Sequence, residues 1–201
     1  MHISEGILSP EVLAAGWILT AAGTAVGLRK TGHENIMAVA VLTSAFFVIS
    51  LLHIPIGPSN AHLLLPALMG IILGWTAFPA ILSALFLQAV FFQFGGLTTL
   101  GINCADMAIP ALASFYICHP FIRKQGTKRN IVAFASGAGA VLMASLMTAA
   151  ALALSGDAFA AAARLLVISH VPVMIIEGFI TMTAVNFLAR VEPEILEHGS
   201  H

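Results

Sequence analysis

Charge is what this sequence has least of. Asp, Glu, Lys and Arg make up 8% of its 201 residues, against roughly 25% in soluble domains. With hydrophobic residues at 59%, that scarcity excludes an ordinary soluble chain and predicts an integral membrane protein. The lysines, Lys30, Lys124 and Lys128, all fall between apolar runs, which excludes a retinal-type Schiff base inside a bundle. His-Glu-x-x-His, Gly-x-Ser-x-Gly and the Walker pattern are absent, so the sequence predicts no metalloprotease, no serine hydrolase of that kind and no ATP hydrolysis by this polypeptide. Nor is there a convincing internal repeat, the usual mark of a two-halved secondary transporter. Cys104 and Cys118 lie on one predicted helix, roughly 21 Å apart along its axis, and cannot pair with each other. The eight methionines are scattered through the apolar runs, where a thioether serves packing more often than metal binding.

What is present is a succession of apolar runs: Val12 to Leu28, Ile36 to Leu52, His62 to Trp75, Phe78 to Phe94, Cys104 to Ile122, Ile131 to Leu154 and Val167 to Leu188. A full crossing takes roughly 20 residues, so most qualify and the third is short. The loops between them leave no room for a soluble domain. Residues 1–201 therefore read as one all-α, polytopic membrane bundle of about seven transmembrane helices. Orientation follows from the cations. With the N-terminus outside, Arg29, Lys30, Arg123, Lys124, Lys128, Arg129 and Arg190 become cytoplasmic and only Arg164 falls outside. The C-terminus and the tail after about residue 190 are then cytoplasmic. Met1 to Pro10 carry no Lys or Arg, unlike the n-region of a secretory signal, so Met1 is expected to remain in place before the large residue His2.

A free α-amine followed at once by histidine is a compact chelate. The amine nitrogen, the His2 backbone nitrogen and its imidazole can close two small rings on one cation. Read alone, the pair is equally an accident of initiation beside an interfacial histidine. The topology puts His2, His53, His62 and His170 toward the outer face and His33, His119, His198 and His201 toward the inner one, where no role is assigned. Glu5, Glu11, Asp106 and Asp157, offset by Arg164, make the outer face acidic and would concentrate a divalent cation there. His53 and His170 read as interfacial side chains at helix ends. His62 ranks higher. It follows His53-Ile54-Pro55-Ile56-Gly57-Pro58-Ser59-Asn60, whose prolines and glycine forbid a continuous helix. Irregular backbone at membrane depth is tolerated where protein buries it or a cavity needs lining. The loop Gly95 to Asn103 has the same character on the same side, so the two predict an outward pocket into which the N-terminal hexapeptide folds.

These residues carry a resemblance. Met1-His2-Ile3-Ser4-Glu5-Gly6, Ile54-Pro55-Ile56-Gly57-Pro58 leading to His62-Leu63-Leu64-Leu65, Gly95-Gly96-Leu97-Thr98-Thr99-Leu100-Gly101 with Asn103, and His170-Val171-Pro172 with Glu177-Gly178 resemble the CbiM/NikM family over nearly the whole chain. The resemblance implies the substrate-binding membrane subunit (S component) of an energy-coupling factor (ECF) importer for nickel or cobalt in a prokaryotic cytoplasmic membrane. It implies a metal site from the Met1 amine, the His2 backbone and ring nitrogens, and His62. The cation is cargo, and no resident cofactor is expected. Implied partners are a transmembrane coupling subunit (T component), ATPase subunits (A components) and a small accessory membrane subunit, with no nucleic acid. The alternative is a self-contained secondary carrier or channel for divalent metals. Two positions depart from the family's pattern: Pro66 stands in place of a small or polar residue, and Asp106 in place of Asn, where it would adjust the charge of the site.

Two features stay open on sequence grounds. Glu177, an acid inside a span, either orients ligands from the pocket side or makes a helix–helix hydrogen bond in protonated form. The small residues from Ala133 to Ala140, Ala144, and the Ala21-x-x-x-Ala25 pair serve either bundle packing or the docking of a partner subunit.

Overall fold

The first helix shows how little sequence is needed to start and stop a span. Pro10 opens α1 (Pro10–Lys30), Glu11 sits in its first turn, and Arg29 and Lys30 close it. Each choice suits the orphan amides and dipole of its end. The computed structural model describes residues 3–32, 36–51, 53–56, 59–122 and 126–196, with residues 53–56, 59–62 and 122 described by backbone only. Along α1 the buried positions are Gly16, Thr20, Gly23 and Gly27, one narrow face at helical spacing. Ala21 and Ala25 are exposed. The small face that packs inward is therefore the glycine–threonine stripe, and the Ala21/Ala25 pair is not part of it.

Among the described residues seven further α-helices follow: α2 (Ile36–Ile49), α3 (Pro66–Leu73), α4 (Ala77–Phe92), α5 (Leu100–Ile122), α6 (Thr127–Ser155), α7 (Ala160–Ser169) and α8 (Val171–Val191). Five helical runs have the length and composition to cross a bilayer: Pro10–Lys30, Pro66–Phe92, Leu100–Phe121, Thr127–Ser155 and Asp157–Val191. The shorter apolar helix is α2. Several details differ from the sequence-based expectation. The stretch after α2 is a hairpin, β1 (His53–Ile56) with β2 (Ser59–His62), so the all-α expectation is corrected here by two short strands among the described residues. Their antiparallel register sets His53 opposite His62. Prolines bar a helix here, yet leave enough donors for a short ladder. The third apolar run becomes the end of β2 and the eight-residue α3. Gly74, with φ 53° and ψ −126°, and a 3-10 turn at Gly74–Thr76 separate it from α4. The seventh run starts earlier than expected, with α7, and breaks at His170, where Pro172 opens α8.

Polar contacts fix which ends meet. The Thr31 and Thr76 hydroxyls lie 3.5 Å apart, so α4 begins beside the C-terminal end of α1. Gln88 donates to the Ser50 hydroxyl at 2.6 Å and the Phe47 carbonyl at 3.1 Å, so α4 ends beside the C-terminal end of α2. The main core joins Leu64, just before α3, to residues of α2, α3, α4, α5, α6 and α8, among them Phe46, Ile71, Ile81, Met107, Val141 and Val185. In α6, Ala133, Ser136, Gly137, Ala140 and Ala144 are all buried; they are packing surface. A Cβ at Gly137 would stand 2.6 Å from the Glu177 carbonyl oxygen and 2.9 Å from Gly178 Cα, so only glycine allows α6 and α8 to approach this closely.

Candidate metal site

The N-terminal segment is folded into the protein from Ile3 onward. Ile3 N–H donates to Asn103 Oδ1 at 2.9 Å, and Asn103 Nδ2 donates back to the Ile3 carbonyl at 3.1 Å. Asn103 Nδ2 also reaches the Thr99 hydroxyl at 3.3 Å. Because one amide side chain serves both polar groups of one residue, it fixes the chain's position and its direction. Gly6, with φ 79°, lets the segment turn; Ser9 N–H then donates to Ser155 Oγ at 3.1 Å. Ile3 and Leu8 are buried with Ile102, Ala151, Leu152 and Ala163, a second small core at the junction of α5, α6 and α7. Glu5 accepts from Thr98 N–H at 3.2 Å, and Trp17 Nε1 donates to the Thr98 carbonyl at 3.1 Å. The anticipated meeting of the N-terminal segment with the 95–103 loop is thus present. That loop is shorter than expected, because α5 already begins at Leu100.

Asp106 follows Asn103 by one helical turn. It is buried, accepts from the Thr148 hydroxyl through Oδ2 at 2.9 Å, and among the described residues has no partner at Oδ1. It therefore belongs to the interior and not to an exposed acidic surface, as the sequence suggested. Glu177 is fully buried on α8. Its Oε1 accepts from two consecutive backbone amides, Leu64 and Leu65 (2.9 Å for Leu65), while Oε2 has no partner among the described residues. Neither arm of the earlier choice describes this fully, since the bonded group is the strand–helix connection after His62 and not another helix. His170 is buried, its Nδ1 2.7 Å from the Leu166 carbonyl. A carbonyl can only accept, so Nδ1 is the donor in this contact. Cys104 and Cys118 are buried and unpaired.

Met1 and His2 lie outside the described residues, and of His62 only the backbone, at the end of β2, is described. Among the described residues no group of three or more His, Cys, Asp or Glu side chains could hold a metal ion. The structure describes one anchor beside each of the expected ligand segments: Ile3, held by Asn103 of α5, and the Leu64–Leu65 amides, held by Glu177 of α8. Sequence reasoning placed Asn103 in the loop lining the pocket without singling out its side chain, and assigned no role to Thr148. Their available signal was a polar side chain in an apolar run, at positions 103 and 148.

Residues 2–195 match the family model described as the cobalt uptake substrate-specific transmembrane region, CbiM. The chain belongs to the CbiM family. A Haemophilus influenzae protein named for metal transport is 36% identical over 199 residues, covering 98% of this chain and 97% of the relative. A fused nickel transport protein, NikMN, of Rhodobacter capsulatus is 37% identical over 115 residues, covering 54% of this chain and 33% of that longer protein. A solved structure described as a transition metal transporter superposes with a TM-score of 0.82 at 26% identity, covering 98% of this chain and 96% of that one. CbiM membership and the apolar helical runs together make this a multi-pass membrane protein, and they agree with the resemblance carried by the N-terminal, His62 and Gly95–Asn103 segments.

Proposed function

We propose that this protein is the substrate-capture subunit of an ATP-driven, ECF-type importer for nickel or cobalt. It takes the cation from outside in a site formed by the Met1 α-amine, the His2 backbone and ring nitrogens, and His62. The observation carrying this reading is the two-point hold of Asn103 on Ile3. Two residues span at most about 7 Å, so a hold at Ile3 limits how far from it the α-amine can reach. Amine and imidazole nitrogens suit Ni(II) and Co(II) better than Mg(II) or Ca(II). Family membership and the metals named for the relatives support the same cargo. The protein is not itself an enzyme; ATP hydrolysis belongs to A components acting through a T component, with a small accessory membrane subunit.

The chain acts as a single transmembrane domain, crossing seven times with the N-terminus outside and the C-terminal tail in the cytoplasm. Support comes from α4, which starts beside the end of α1 and finishes beside the end of α2. The hairpin and α3 then supply the third crossing and α4 the fourth, with the reversal at Gly74. The functional test is nickel uptake by vesicles with and without the coupling and ATPase subunits. Uptake that needs both the partners and ATP fits the proposal; uptake by this subunit alone, without ATP, marks a secondary carrier or channel.

A further inference from the structure

Glu177 is a costly residue where it stands. An acid in a membrane-spanning helix is expensive unless its oxygens are well used, and Oε1 takes both the Leu64 and Leu65 amides. These amides follow His62 by two and three residues. Leu65 adopts the left-handed conformation, φ 47° and ψ 30°, which is uncommon for a residue other than glycine. The next residue, Pro66, has no amide to give. The whole turn from β2 into α3 is therefore held from α8 through one carboxylate oxygen. The same buried face of α8, at Glu177, Gly178 and Thr181, is seated on α6 at Gly137, and α6 carries Thr148, which holds Asp106 one turn along α5 from the Asn103–Ile3 clasp. Both arms of the site, Ile3 and Leu64, are thus referred to the α6–α8 pair.

We propose that Glu177 is a positioning residue for the metal site: it sets where the His62 imidazole stands relative to the N-terminal chelate by holding the Leu64–Leu65 amides. The inference rests on the reading of His62 as the fourth nitrogen donor. What matters for this role is an acceptor oxygen at the right reach, more than the negative charge. Gln keeps that reach and a carbonyl oxygen; Asp keeps the charge but is one methylene shorter and must drag the turn toward α8 or release it.

The test is calorimetric titration of the full-length protein, beginning at a free Met1, with Ni2+ alone, together with the visible ligand-field spectrum of the bound ion. Glu177→Gln should bind within about threefold of wild type with an unchanged spectrum. Glu177→Asp should lose about 10- to 100-fold, the range for partners that orient metal ligands, and its spectrum should move toward that of His62→Ala. Thermal midpoints without metal show that each variant is folded. The reverse pattern, with Asp binding normally and Gln losing affinity, would mean charge and not position is what Glu177 supplies, and overturns the proposal; so does wild-type binding by both variants. Wild-type affinity in His62→Ala is a separate result, which removes His62 from the site whatever Glu177 does.

Discussion

Asn103 holds Ile3 by both of its main-chain polar groups, donating to the carbonyl and accepting from the amide. Both partners are buried. Asn103→Ala strands an amide and a carbonyl away from water, each costing about 1–3 kcal/mol. The N-terminal segment should loosen before the helices do. Nickel affinity is expected to fall by about tenfold or more in titration, with a smaller change in the thermal midpoint of the metal-free protein. Wild-type affinity would mean that the clasp does not organise the site.

Two neighbouring glycines of α6 should respond in opposite ways. A Cβ at Gly137 meets α8 backbone, whereas one at Gly139 has nothing within 4 Å. Gly137→Ala should destabilise by about 1–3 kcal/mol through overpacking. Gly139→Ala should be neutral or stabilising by up to about 1 kcal/mol from helix propensity. Thermal unfolding in detergent distinguishes them; a loss at Gly139 matching that at Gly137 would contradict the close α6–α8 seat.

Topology is open to single-cysteine labelling because Cys104 and Cys118 are both buried and give little background. Ser4 and Lys128 are exposed. Ser4→Cys should react with an impermeant maleimide from outside whole cells, and Lys128→Cys only after permeabilisation. Labelling of Ser4→Cys only after permeabilisation would reverse the orientation and remove the site from the outer face.

Much of this arrangement could be read from the chain. The apolar runs located α1, α5 and α6 to within a few residues, since lipid demands long uninterrupted helices. The motif-bearing segments at 1–6 and 95–103 were expected to meet, and they do from Ile3 onward. The hairpin was legible only as a place where a helix cannot form, because proline content says where pairing is barred and not which residues face each other. The break at His170 was missed although Pro172 announced it, the apolar run being long enough on either side to conceal an interruption. The partners of Glu177 left no trace: two backbone amides have no sequence signature. Asp106 was misread as surface charge because its partner Thr148 lies on another helix, 42 positions away.

The central claim is that the Met1 α-amine is itself a ligand, and nickel and cobalt titration of an N-terminally extended protein tests it most directly. Extension turns the amine into an amide with no basic lone pair while keeping every side chain, and it adds chain that must fit ahead of the Ile3 clasp. Inserting one Ala between Met1 and His2 enlarges a chelate ring and should also damage binding, as should His2→Ala. The account predicts that high-affinity binding disappears in the extended form and returns when the extension is cleaved to leave Met1 first. Equal affinity in the extended and free-amine forms would contradict it.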